Sequence, residues 1–129
     1  MKKILNLTQH SASEEQIAEG VFDLEGLALQ ELKELLNFSW KPTPAEIKER
    51  ARAIAELATA QKSESWKGFD VMIGGALWLM RPLIEELVRK GFVPLFAYTE
   101  RQTIEEPQPD GSVKKTAIFK HEGFVRAWF

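Results

Sequence analysis

The feature that most constrains the fold is the alternation of short apolar runs with longer amphipathic stretches. Apolar runs cover Lys3–Thr8, Phe69–Ile73 and Val93–Tyr98, each bounded by polar, Gly or Pro residues as buried strands are. Helical periodicity occupies the segments between them. Because consecutive strands separated by helices are normally joined by right-handed crossovers, this order predicts a parallel sheet.

Capping residues mark two of the predicted helices. Ser13 stands three residues before Gln16, which is the spacing of a capping box and predicts a short helix. Thr43 and Pro44, with Glu46 at the third helical position, predict the start of a longer helix that runs to about Gln61. These boundaries are the strongest local signals in the chain.

Two further helices follow from apolar spacing. The first lies between Gly26 and Asn37, with an apolar face formed by Leu27, Leu32, Leu35 and Leu36. The second ends near Gly91 and is expected to begin near Leu79 or Met80, because Pro82 then falls in the first turn, where its missing N–H is tolerated.

The C-terminal part has a different pattern. Segments 101–106 and 113–120 flank Pro107-Gln-Pro-Asp-Gly111, a turn by composition, and together predict a β-hairpin. Residues 21–24 fit either a short second strand or extended chain. We find no internal repeat or linker, so the prediction is one α/β domain over residues 1–129. Its expected architecture is a small Rossmann-like three-layer sandwich, with a short mostly parallel sheet and a C-terminal β-hairpin.

Composition bears on which partners the protein binds and in which cellular compartment it is found. The net charge of −2 provides no strong field for nucleic acid, so duplex DNA is not expected as a partner. The chain has no cysteine, which removes disulfides and thiolate metal sites and fits a reducing compartment. No apolar run approaches the ~20 residues of a membrane span. A cytoplasmic location without membrane attachment is therefore expected.

The ends of the predicted strands select candidate binding residues. In open α/β sheets, ligands bind beyond the carboxyl ends of the parallel strands, near the point where strand order reverses. These positions carry polar or glycine residues, and arginines nearby could bind a phosphate. The candidate ligand-binding residues are Thr8, Gln9, Gly74, Gly75, Arg81, Thr99 and Arg101. The alternatives are that Gly74-Gly75 is only a tight turn and that the arginines are ordinary surface residues.

His10 is the candidate catalytic residue, since a histidine can serve as a general base near neutral pH. It fits equally a loop residue that caps the next helix. The second histidine, His121, lies past the predicted hairpin and is interpreted as ending a strand, or as meeting His10 or a dimer partner. Two histidines with scattered acids have no metal-ligand spacing, so neither a metal site nor a cofactor is expected. Trp40 and Trp78 are interpreted as core or interface residues.

Three segments carry a resemblance to a known group of proteins. Lys3–His10 (KILNLTQH), Met72–Ala76 (MIGGA) and Phe119–Val125 (FKHEGFV) resemble a small family of bacterial and phage proteins. That family is similar to the compact CRISPR-associated Rossmann-like (CARF-like) domains, some of which bind or cleave cyclic oligoadenylates. The resemblance implies that Thr8, Gln9, His10, Gly74 and Gly75 contact a ligand of this kind.

Two functional hypotheses follow. The first is a nucleotide-binding protein for a small nucleotide or cyclic oligonucleotide, with metal-independent ring nuclease activity on cyclic oligoadenylates as its catalytic form. The second is a non-catalytic interaction or accessory protein of phage or mobile-element origin. A homodimer is expected in either case, because a long hairpin leaves an unpaired sheet edge. The apolar residues Phe124, Val125, Trp128 and Phe129 would lie near that edge.

Overall fold

The structure is a computed structural model that describes residues 2–129, which form four helices and five strands. The chain is a mixed α/β fold. In chain order the elements are β1 Ile4–Asn6, α1 Glu14–Ala18, β2 Val21–Asp23, α2 Gly26–Leu36, α3 Pro44–Ala60, β3 Asp70–Ile73, α4 Leu77–Arg89, β4 Val93–Pro107 and β5 Val113–Arg126.

All five strands form one sheet in the order β2-β1-β3-β4-β5. Strand β1 pairs in parallel with both β2 and β3, and β3 pairs in parallel with β4. The last pair is antiparallel, with Leu95 opposite Arg126 at one end and Pro107 opposite Val113 at the other. Residues 21–23 are thus a strand, and the predicted C-terminal hairpin is confirmed.

The expectation of a mostly parallel sheet is wrong, because the sheet is mixed and its longest pairing is antiparallel. The predicted end of the third long strand at Tyr98 is the source of the error. Strand β4 continues through a register irregularity between Ala97 and Thr99 and becomes the first arm of the hairpin. A bulge of this kind bends a strand without ending it, so the two predicted segments are one strand.

The predicted caps explain where α1 and α3 begin. Ser13 Oγ accepts from Gln16 N at 3.1 Å, and Gln16 Oε1 accepts from Ser13 N at 3.0 Å, which completes the capping box. Thr43 Oγ1 accepts from Glu46 N at 3.2 Å, with Pro44 in the first turn. Helix α3 ends at Ala60, one residue before the predicted end.

Helix α4 begins at Leu77, earlier than predicted, so that Pro82 lies inside the helix rather than in its first turn. Ala76, directly after Gly75, is the N-cap of the helix. The proline removes one backbone donor from the helix and is accommodated half-buried. On α2, Leu27 is 84% exposed and does not belong to the predicted apolar face, because it lies in the first turn beyond the edge of the core.

The sheet is covered unequally on its two faces. One face packs against α2, α3 and α4 in a large core that includes Leu5, Ile54 and Leu83. The other face carries a small cluster around Ile4 and Met72. The five-residue helix α1 contacts β2 and β5 and contributes no buried residue. Within residues 2–129, no helix has both the length and the apolar composition required to cross a membrane.

The hairpin extends beyond this core. Side chains of 99–107 and 113–120 alternate between two faces, and nearly all are exposed. Strand β5 is one of the two edge strands of the sheet, and β2 is the other. The hairpin arms therefore present sheet faces and edges that no other part of residues 2–129 covers.

Candidate functional site

A crevice of about 630 Å³ lies at the carboxyl ends of β1 and β3. Because β1 lies between β2 and β3, the strand order reverses here, and this is the position where open α/β sheets bind ligands. The volume is within the range of small-molecule sites. The lining residues are Thr8, Gln9, His10, Ser11, Gln16, Leu36, Asn37, Phe38, Met72, Ile73, Gly74, Gly75, Ala76, Trp78, Phe96 and Ala97.

The loop that follows β1 is held by the buried side chain of Asn6. Its Oδ1 accepts from Thr8 N at 2.9 Å and from Thr8 Oγ1 at 2.7 Å. Its Nδ2 donates to His10 O and to Asp23 Oδ1, each at 2.8 Å. Asp23 in turn accepts from Ala12 N at 3.1 Å. One buried amide thus fixes both ends of the loop that carries Thr8 and His10.

His10 itself is exposed and lines the crevice. Its backbone carbonyl is held by Asn6, whereas its imidazole makes no hydrogen bond within residues 2–129. Gln9 Nε2 donates to Leu36 O at 3.1 Å and so connects the loop to the end of α2. The imidazole is therefore available to a ligand on a backbone that is already positioned.

The opposite side of the crevice is the Gly74-Gly75 turn between β3 and α4. Gly75 has a φ of +137°, a conformation that L side chains rarely adopt. A Cβ there would meet nothing closer than Met80 Cε at 3.9 Å, so the glycine is required by conformation and not by space. At Gly74 the nearest atom to an added Cβ would be Thr8 Cγ2 at 3.5 Å. The turn lies against the β1 loop, as the strand-end rule predicts.

An aromatic pair forms a third side. Phe38 and Trp78 meet edge to face with ring centroids 5.6 Å apart. The Arg50 guanidinium lies over the Phe38 ring, 4.4 Å from its centroid. Trp78 is 53% exposed and Trp40 is 65% exposed, so neither is a core residue, and their alternative interpretation as interface residues stays a prediction. Trp78 has a position at the crevice rim instead.

The crevice lining has no acidic residue and no lysine or arginine. His10 lies among residues that are otherwise apolar or carry hydroxyl and amide groups. Hydroxyls, side-chain amides, backbone groups and aromatic rings make up its polar and apolar surfaces. The described residues 2–129 also contain no group of three or more His, Cys, Asp or Glu placed to hold a metal ion.

Five predicted site residues come together here, namely Thr8, Gln9, His10, Gly74 and Gly75.

Three others lie outside the crevice lining. Arg81 is exposed on α4, and its Nε lies 3.2 Å from Glu85 Oε1. Thr99 and Arg101 are in the first hairpin arm, because β4 does not end at Tyr98. Their assignment to the crevice is corrected.

His121 is also placed differently from its prediction. It lies within β5, opposite Thr99, and not past the hairpin. Its side chain is buried against Phe124, and its Nε2 is 3.1 Å from Glu19 Oε1, without the alignment of a hydrogen bond. It does not line the crevice with His10. Its contacts join the base of the hairpin to the end of α1.

Sequence reasoning missed Asn6, Asn37, Phe38 and Trp78 as site residues. Asn6 had a usable signal, since it is the single polar residue in the apolar run Ile4–Leu7 and a buried amide must find partners. Trp78 follows the glycine turn by three residues, which places it in the first turn of α4. Phe38 gave no such signal, because its place depends on how α2 packs on α3.

Comparison with known proteins identifies one family. A family model described as the uncharacterized protein MJ1673 family matches residues 2–125. Searches of curated proteins and of solved structures found no significant match. The match spans nearly the whole chain, so this chain belongs to the uncharacterized protein MJ1673 family.

Proposed function

We propose that this protein binds a nucleotide in the crevice at the ends of β1 and β3. The observation that carries the proposal is the meeting of the His10 loop and the glycine turn at the point where strand order reverses. On this proposal the fold is a reduced Rossmann-like sandwich with α1 as its thin third layer, related to the CARF-like domains. The absence of cysteine supports the accompanying proposal of a cytoplasmic location.

The proposed reaction is metal-independent cleavage of a cyclic oligoadenylate. The ribose 2′-hydroxyl would attack the adjacent phosphorus, and the bond to the 5′-oxygen would break, leaving a 2′,3′-cyclic phosphate and a 5′-hydroxyl. His10 would accept the 2′-hydroxyl proton, and water would supply a proton to the leaving oxygen. Because the nucleophile belongs to the substrate, the site needs to orient it and to stabilise charge on the phosphate oxygens. The N-terminus of α4, which no side chain caps, supports that second role.

The test of the proposal is direct. Purified protein is incubated with cyclic tetra-adenylate and cyclic hexa-adenylate in the presence of EDTA. We expect at least one of them to bind with a measurable Kd by calorimetry and to yield linear products with cyclic phosphate ends by chromatography. Binding without products would support the proposal of nucleotide binding and contradict the proposal of nuclease activity. No binding of either ring, nor of AMP, would contradict the proposed function.

A second candidate function is supported by the hairpin. Its exposed apolar side chains include Phe119 at 69% exposure, and the chain end adds Phe129 at 98%. Exposed apolar residues on an uncovered sheet edge are typical of interaction surfaces. On this alternative the chain is a non-catalytic interaction protein, and the crevice has no turnover function.

The hairpin also supports the proposal of a homodimer. We expect light scattering at high micromolar concentration to give a mass close to twice the 14.7 kDa of one chain. Phe119→Lys should shift the mass toward the monomer, because it places a charge on the exposed arm of β5. The matched control is Leu27→Lys, which changes an apolar residue on α2 that is also exposed, at 84%. A monomer mass for the parent protein would contradict the dimer.

A further inference from the structure

We infer that the indole of Trp78, supported by Phe38, forms a wall against which a purine base stacks, so that the crevice recognises its ligand through the base. The inference rests on the proposed function and names the part of the nucleotide that the site reads. It assigns a role to two aromatic side chains that neither the family match nor the strand-end rule identifies.

The exposure of Trp78 is the first observation. The next two residues of α4, Leu79 and Met80, are buried in the core, so the helix is anchored without the indole. Trp78 instead lines the crevice with half of its surface exposed. An aromatic face left open beside a cavity of ligand size is suited to stack on a planar ligand.

The wall is also held in place before any ligand binds. Phe38 meets Trp78 edge to face, and the Arg50 guanidinium lies over the Phe38 ring. Arg50 is itself fixed, because its Nη1 donates to three carbonyls at the end of α2: Glu34 O at 3.4 Å, Leu35 O at 3.3 Å and Asn37 O at 2.6 Å. Helix α3 thus positions Phe38 through Arg50, and little rotamer freedom remains to be lost on binding.

The charge of the crevice gives an independent argument. A site that held a nucleotide by its phosphates would be expected to provide Lys or Arg, and none lines this crevice. Without such side chains, the main sources of affinity are stacking, neutral hydrogen bonds and the backbone N–H groups at the start of α4. Asn37 lies beside Phe38 in the lining, and a side-chain amide can pair with the N6 and N7 atoms of adenine. A purine presents a larger ring system to the wall than a pyrimidine does.

The experiment measures Kd by calorimetry for AMP, UMP and ribose 5-phosphate, with the parent protein and three variants. Stacking on an aromatic side chain contributes about 1–3 kcal/mol per base, so Trp78→Ala should weaken AMP binding by about fivefold to 150-fold. Trp78→Phe keeps an aromatic face and should stay within about threefold of the parent. The matched control is Trp40→Ala, an exposed tryptophan outside the crevice lining, which should bind AMP as the parent does.

Two further measurements separate stacking from charge. AMP should quench part of the tryptophan fluorescence, and that part should be absent in Trp78→Phe. The Kd for AMP should change little when salt is raised from about 50 to about 200 mM, whereas binding through several cations would weaken steeply.

The outcomes distinguish this inference from the proposed function. If AMP binds the parent and Trp78→Ala equally well, or if ribose 5-phosphate binds as tightly as AMP, the stacking wall is wrong while nucleotide binding stands. If UMP binds as tightly as AMP, the preference for a purine is wrong. If neither AMP nor a cyclic oligoadenylate binds the parent protein, both the inference and the proposed function are wrong. Thermal melting of each variant checks that it is folded.

Discussion

Replacing His10 by alanine is expected to lower the rate of cyclic tetra-adenylate cleavage by about 10²–10⁴-fold while leaving its Kd within about threefold of the parent value. The reason is that the imidazole is exposed at the crevice and free to accept the 2′-hydroxyl proton. The backbone at His10 is held through its carbonyl by Asn6, so the alanine variant should keep the loop in place. Single-turnover chromatography measures the rate, and calorimetry measures the Kd.

Two companion variants make this result interpretable. His10→Gln retains a neutral hydrogen-bonding side chain of similar reach, so it should be as slow as the alanine variant if proton transfer is the role of the imidazole. Arg81→Ala is the control, because Arg81 pairs with Glu85 on the outside of α4 and lies beyond the crevice lining. If the His10→Gln variant cleaved at the parent rate, the role of His10 would be hydrogen bonding and not proton transfer. A parent rate in His10→Ala would remove His10 from the reaction.

The second large effect is expected at Asn6. Asn6→Ala removes four hydrogen bonds from a side chain that is 3% exposed, and leaves Thr8 N and His10 O without that partner. At about 0.5–1.5 kcal/mol each, their loss should lower the free energy of unfolding by roughly 2–6 kcal/mol. The corresponding fall in Tm is roughly 7–22 °C for a chain of this size. Differential scanning calorimetry measures it.

The control for this result is Asn37→Ala. Asn37 is exposed at the end of α2, and the bond that Arg50 makes there goes to its backbone carbonyl, which the substitution retains. We expect a change within about 0.5 kcal/mol, as for other surface substitutions. Equal stability losses at the two positions would contradict the assignment of Asn6 as the residue that holds the loop.

Asn6→Asp tests the same network through pH. The introduced carboxyl would lie beside Asp23 Oδ1, which now receives a hydrogen bond from Asn6 Nδ2. Burial and the neighbouring carboxylate should raise the folded-state pKa of the introduced group above its unfolded value of about 3.9. A group with a raised folded pKa favours the folded state when protonated, so the variant should be closest to the parent near pH 4 and lose stability toward pH 7. A stability difference independent of pH would show that the two side chains are not in contact.

Much of the secondary structure follows from local chemistry. The Ser13–Gln16 capping box and the Thr43-Pro44 start depend on hydrogen bonds that span three residues, so the sequence contains both partners. The Gly74-Gly75 turn likewise follows from a conformation that other residues rarely adopt. The same local reasoning fails at Pro82, because α4 begins at Leu77 and contains the proline in its interior.

The strand-end rule explains how far the site could be predicted. It requires knowledge of which strands are parallel neighbours and where each one ends. For β1 and β3 the sequence indicates both the parallel pairing and the strand ends, so the prediction that Thr8, His10 and Gly75 lie together is confirmed. For β4 the end was misplaced, because a bulge continues the strand without a turn-forming residue at that point, and Arg101 was assigned to a site it does not reach.

The amino-acid sequence by itself thus determined the order of strands and helices, the caps and the strand-end loop and turn, because each depends on residues adjacent in the chain. The tertiary structure alone decided the third side of the crevice. Phe38, Arg50 and Trp78 belong to three separate parts of the chain and meet only because α2, α3 and α4 pack on the same face of the sheet. Such contacts depend on helix packing across long sequence separations, for which periodicity predicts which face is buried and not which neighbour covers it.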